Sequence, residues 1–98
     1  MNVRLTPRYV KEYDSLLPTE RQPAVSGAVQ TFIDCVEQKK PIPDSLGLKP
    51  FRGTRSKYWE FRSTLADRIL FNWEAGGVVL RFVGSHDDLR KFAKGNRP

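Results

Sequence analysis

Between residues 58 and 84, hydrophobic and polar positions alternate through three successive runs, Tyr58–Ser63, Asp67–Glu74 and Gly77–Gly84. Each run is rich in aromatic and β-branched residues and is bounded by turn residues, the pattern of strands with one face buried. Alternation sets Trp59 and Phe61 on one face of the first run, with Tyr58, Glu60 and Arg62 on the other. In the second, Ile69, Phe71 and Trp73 oppose Arg68, Leu70 and Asn72; in the third, Val78, Leu80 and Phe82 oppose Val79, Arg81 and Val83. Ala75-Gly76-Gly77 joins the last two runs, with glycine supplying the positive φ of a tight hairpin. The three runs predict an antiparallel meander.

Upstream the period changes. Val25, Ala28, Val29, Phe32, Ile33 and Val36 recur at helical spacing and predict a helix laying one apolar stripe on the sheet. Thr19 to Gln22 fits a capping box at its start. A shorter helix is predicted before it: Thr6 caps, Pro7 takes the first helical position, and Tyr9, Val10, Tyr13, Leu16 and Leu17 share a face as far as Pro18. Asn2–Leu5 reads as a short strand, Pro41 to Pro50 as a connector, and His86–Ala93 as a short C-terminal helix. The order β-α-α-β-β-β predicts one α+β domain over residues 1–98. In it an N-terminal helical hairpin packs on one face of a small twisted, mainly antiparallel sheet. The other face is expected to be partly open.

Length and composition narrow the function. Ninety-eight residues make one domain with a thin core. A single cysteine, Cys35, excludes an internal disulfide and suits a reducing compartment. No apolar run approaches the ~20 residues of a membrane span, and the opening MNVRLTPRYVKEY has no signal-peptide core, so a cytoplasmic location is expected. The net charge of +6 is unevenly placed. Residues 1–46 hold six basic and six acidic residues, whereas residues 47–98 hold eleven basic and five acidic ones. Lys49, Arg52, Arg55 and Lys57 follow one another with no acid between them. Such a concentration favours a polyanionic partner.

No phosphate loop, dinucleotide fingerprint or nucleophile elbow is present. His86-Asp87-Asp88 offers metal-ligand types but no second cluster, so no metal or cofactor is expected. What remains is a set of arginines with the only histidine. In a meander, the end of the first strand, the start of the second and the end of the third lie together, which would bring Arg62, Arg68 and His86 to one sheet end. Guanidinium groups hold phosphate bidentately, and a histidine near its reference pKa of ~6.5 exchanges protons at neutral pH. The combination suits metal-free phosphodiester cleavage. Each residue also has a structural reading: Arg62 and Arg68 as cross-strand partners of Glu60 or Asp67, and His86 as a helix cap.

The segments KPFRG, YWEFRS, DRILF and GGVVLRFVGSHDDL, in this order, resemble the RelE/ParE superfamily of bacterial type II toxins over nearly the whole chain. The resemblance implies an endonuclease acting on messenger RNA at the ribosome, held inactive in a hetero-oligomer with a co-expressed acidic antitoxin. By position, Arg68 matches the middle-strand arginine at the scissile phosphate, His86 the catalytic basic position after the last strand, and Arg62 a phosphate contact. Glu60 stands where some members carry lysine, so Glu60 or Asp67 would take the complementary proton-transfer role. Phe92 stands where many carry tyrosine and would stack on a base. Lys49, Arg52, Arg55, Lys57 and Arg81 would contact RNA. The alternative within the same superfamily is a ParE-like inhibitor that binds DNA gyrase without catalysis.

Overall fold

The structure, a computed structural model, describes residues 1–52 and 57–95. Strand β1 (Asn2–Leu5) opens the chain and is followed by helices α1 (Pro7–Asp14) and α2 (Arg21–Glu37). A 3-10 turn at Asp44–Leu46 leads to β2 (Lys49–Pro50), β3 (Trp59–Arg62), β4 (Arg68–Glu74) and β5 (Gly77–Gly84), and α3 (His86–Gly95) ends the described chain. The sheet order is β1-β5-β4-β3-β2, antiparallel except where β1 pairs parallel to β5.

The N-terminal part is therefore not simply a helical hairpin: a strand comes first, and it closes one edge of the sheet. The return of β1 needs Gly77, because a Cβ there would run into the backbone of Asn2. The helices take their packing from the sheet, and α1 lies against β5. Thr6 caps α1 as expected, its Oγ1 accepting from the Tyr9 amide at 3.1 Å. The capping box at Thr19 does not form. Pro18 and Thr19 accept the Arg21 and Gln22 amides through their backbone carbonyls, at 3.1 and 3.0 Å, so no hydroxyl is needed there.

The apolar stripe of α2 meets the sheet as predicted. Val25 and Phe32 have no exposed surface, and Ala28 is buried with them. The Phe32 ring stacks on Phe61 at 4.7 Å and meets Phe71 at 5.1 Å. Ile69, Val78, Leu80 and Val83 complete this core, with Tyr9 and Leu16 from the α1 region.

Strict alternation fails in β5. Leu70 pairs with Phe82 but the next residue, Phe71, pairs with Leu80, so Arg81 forms a β-bulge. The bulge shifts the phase of the strand. Phe82 leaves the α2 face, where alternation placed it, and Val83 takes that face instead. Phe82 builds a second core with Phe51, Tyr58, Leu70, Leu89 and Ala93. That face is covered by α3 rather than left open, and it holds the cleft described below. No helix among the described residues is long and apolar enough to cross a membrane.

Candidate functional site

Between the β2–β3 edge and α3 lies a cleft of about 450 Å³ lined by Lys49, Pro50, Phe51, Arg52, Glu60, His86, Arg90 and Lys94. Three elements build it. The register Lys49↔Glu60 sets a lysine and a carboxylate side by side on neighbouring strands. Phe51 is buried, and its amide is fixed to the Tyr58 carbonyl at 2.8 Å. From α3, His86, Arg90 and Lys94 recur every fourth residue, so they form one stripe beside the buried Leu89 and Ala93.

Ser85 caps α3: its Oγ accepts from the Asp88 amide at 3.1 Å and its carbonyl from the Leu89 amide at 3.0 Å. The His86 imidazole is therefore not needed as a cap. It is exposed, with its ring centre 6.4 Å from that of Phe51.

Glu60 is 3 % exposed, a buried carboxylate on the cleft wall. Arg68 donates to its Oε1 from Nη1 at 2.5 Å. A guanidinium carries five N–H donors, so this bond leaves Arg68 further donors. The cross-strand ion pair foreseen as a structural role for Arg68 thus exists, and it orients the one carboxylate that lines the cleft.

Two of the residues expected at the catalytic centre, Arg62 and Asp67, lie elsewhere. Arg62 is paired with Arg68 in register, but its side chain does not join Glu60 and His86. It is the last residue of β3, where the ladder ends, and it folds across Gly47 to donate from Nε to the Ser45 carbonyl at 3.2 Å. The glycine leaves room for this, since a Cβ there would lie 3.4 Å from Nε. Asp67 is buried on the α2 side and is held bidentately by Arg21, at 2.9 Å from Nε and 2.5 Å from Nη2. Neither therefore faces the cleft.

Arg81 points from the bulge to Asn72, donating to Oδ1 at 2.6 Å, and Asn72 in turn donates to the Lys57 carbonyl at 3.0 Å. Phe92 stacks on Phe82 at 4.8 Å as part of the second core rather than as a free platform. Lys49 and Arg52 line the cleft, Lys57 is exposed without lining it, and Arg55 lies outside the described residues. Sequence reasoning missed Arg90, Lys94, Pro50 and Phe51. The four-residue spacing from His86 through Arg90 to Lys94 was the signal for the two cations.

Among the described residues, the arrangement presents four cations, one carboxylate and one imidazole to the same space. That set suits an anionic ligand whose reaction needs proton transfer.

Neither a family model nor a curated protein matches the chain. Solved structures do. A copper-bound variant of a toxin from Helicobacter pylori superposes with a TM-score of 0.73 at 17% identity, covering 91% of this chain and 98% of that one. YafQ from E. coli, in its DinJ–YafQ toxin–antitoxin complex, superposes with a TM-score of 0.66 at 13% identity, covering 90% and 94%. This chain has the fold of these toxins. The resemblance read from KPFRG to GGVVLRFVGSHDDL thus holds at the level of architecture. The H. pylori toxin is also described in a metal-bound form. Among the described residues of this chain no group of three or more His, Cys, Asp and Glu side chains could hold a metal ion.

Proposed function

We propose that this protein is the toxin of a type II toxin–antitoxin pair and an endoribonuclease acting on translated messenger RNA in the cleft between β2–β3 and α3. The observation that carries the reading is the convergence of His86 and the Arg68-held Glu60 among Lys49, Arg52, Arg90 and Lys94. The toxin fold supports it, and the DinJ–YafQ complex supports an antitoxin as partner. An acidic segment that folds on binding suits a chain with a net charge of +6.

In this mechanism the ribose 2′-hydroxyl attacks the neighbouring phosphorus. Its proton passes to the Glu60 carboxylate, the bond from phosphorus to the 5′-oxygen breaks, and that oxygen takes a proton from the His86 imidazolium. The products are a 2′,3′-cyclic phosphate and a 5′-hydroxyl. Arg52 and Arg90 stabilise charge on the phosphoryl oxygens, the contribution that usually dominates such catalysis. Lys49 and Lys94 hold flanking phosphates, and Arg68 keeps Glu60 in place.

The test compares wild type with His86→Ala and Glu60→Gln for cleavage of translated messenger RNA. Positioned proton transfer is worth ~10²–10⁴-fold, and each variant should lose an amount in that range. Full toxicity of His86→Ala, accompanied by gyrase inhibition, would establish the binding-only alternative and overturn the assignment.

A further inference from the structure

The β-bulge at Arg81 does more than reverse the faces of Phe82 and Val83. Bulges re-aim side chains, and here the guanidinium reaches Asn72 on the neighbouring strand, its Nε donating to Oδ1 at 2.6 Å. Asn72 is 8 % exposed. With its oxygen turned to a donor, its amide nitrogen faces the other way, and Nδ2 donates to the Lys57 carbonyl at 3.0 Å. The β3–β4 register runs from Arg62↔Arg68 to Trp59↔Phe71. Asn72 is the next residue of β4, so its side chain carries the hold of β4 on the chain past the end of that register. The point it holds belongs to the cleft wall. Lys57 is followed by Tyr58, whose carbonyl accepts from the Phe51 amide at 2.8 Å. That bond matters because β2 is two residues long and the second, Pro50, has no N–H to give. Phe51 lines the cleft with its ring centre 6.4 Å from that of His86, and Arg52 lines it next.

We infer that Asn72, oriented by Arg81, is a positioning residue for the proposed RNA-cleaving cleft. The pair pins the chain where it enters β3 and, through the Tyr58–Phe51 bond, sets where Phe51 meets His86 and where Arg52 meets the phosphate. The inference rests on the function proposed above. It gives Arg81 a role other than the RNA contact expected from the sequence, since its guanidinium acts on the cleft through Asn72. The hold is directional: Oδ1 can only accept and Nδ2 can only donate, so both bonds are made in one orientation of the amide.

Two variants separate the bonds. Asn72→Asp keeps an acceptor for Arg81 but sets a carboxylate oxygen, which cannot donate, against the Lys57 carbonyl. Arg81→Met keeps an unbranched side chain but leaves the Asn72 amide free to turn. The readouts are hydrogen exchange of the Phe51 amide, the imidazole proton resonances of the single histidine, and cleavage kinetics. In Asn72→Asp the Phe51 amide should exchange faster while amides of the central β4–β5 ladder do not, and the His86 resonances should move at fixed pH. Its kcat should fall on the order of 10- to 100-fold, with KM for RNA unchanged because Lys49, Arg90 and Lys94 keep their places. Arg81→Met should show the same changes in smaller measure, and the double variant should lose no more than Asn72→Asp alone. Additive losses would mean that Arg81 acts on RNA directly and would overturn the inference, as would unchanged Phe51 exchange and His86 resonances in Asn72→Asp. Should Asn72→Asp not fold, Arg81→Met decides by the same two readouts. Neither needs substrate, so they judge the pin even if wild type fails to cut RNA, an outcome that would sink the functional reading instead.

Discussion

Phe32 has no exposed surface and lies among the rings of Phe61, Phe71 and Trp73, at 4.7, 5.1 and 5.7 Å. Truncating a phenylalanine in such a place removes its transfer energy and leaves a cavity that aromatic neighbours cannot fill. Phe32→Ala should cost about 3–5 kcal/mol, measured by denaturant unfolding. Tyr9 supports the same core from α1, and burial pushes its phenol above the ordinary value of 10.0. The folded form therefore keeps this proton at a pH where the unfolded chain loses it. The contribution is complete below the unfolded pKa of about 10 and is lost as pH rises from there toward the folded value. Stability should fall with pH above that point, and Tyr9→Phe should flatten the slope. At this scale the sequence was a fair guide where one local rule decides, as at the Thr6 cap or the buried face of α2. It misled where a residue sits at the end of a ladder. Arg62 shares the parity of Glu60, yet it is free to turn to the Ser45 carbonyl because no further strand pairing constrains it.

The elements were read from periodicity, and the meander, the two N-terminal helices and α3 follow it closely. Periodicity does not report an inserted residue or the direction of a strand partner. The bulge at Arg81 looks in sequence like one more polar position in VVLRFVG, but it reverses the faces of Phe82 and Val83 and thereby supplies α3 with its aromatic floor. Likewise, four residues of β1 show alternation but nothing that says they pair parallel to β5 across 75 positions (Asn2↔Gly77). Gly77 records that pairing, because only a residue without Cβ lets the backbone of Asn2 approach. Gly77→Ala should therefore destabilise the protein by about 1–3 kcal/mol, the usual cost of overpacking. Amide exchange at Val3 to Leu5 should accelerate more than exchange in β4. Equal acceleration throughout would mean that β1 is not the element displaced. The cleft itself was half legible: the basic run gave Lys49 and Arg52, and the middle strands gave Glu60 and Arg68. The stripe of His86, Arg90 and Lys94 becomes part of a site only once α3 is laid on the second face.

For the molecule as a whole, the positive charge of the second half of the chain is partly gathered at one cleft, with Lys49, Arg52, Arg90 and Lys94 lining it. Each contact with a phosphate of single-stranded RNA releases counterions, so affinity should fall with salt at a log–log slope of about −3 for four such contacts. Arg90→Ala should make that slope shallower by about 1 while leaving the fold intact. A slope unaffected by this change would place the RNA elsewhere on the surface. The central proposal is narrower: RNA would be cut by its own 2′-hydroxyl, with Glu60 and His86 moving the protons and no metal step. Its most direct test is the chemistry of the ends produced from translated messenger RNA in the presence of a strong chelator. The account predicts undiminished cleavage leaving 2′,3′-cyclic phosphate and 5′-hydroxyl ends, slowed by ~10²–10⁴-fold in His86→Ala. Cleavage abolished by the chelator, or ends bearing a 3′-hydroxyl and a 5′-phosphate, would contradict it.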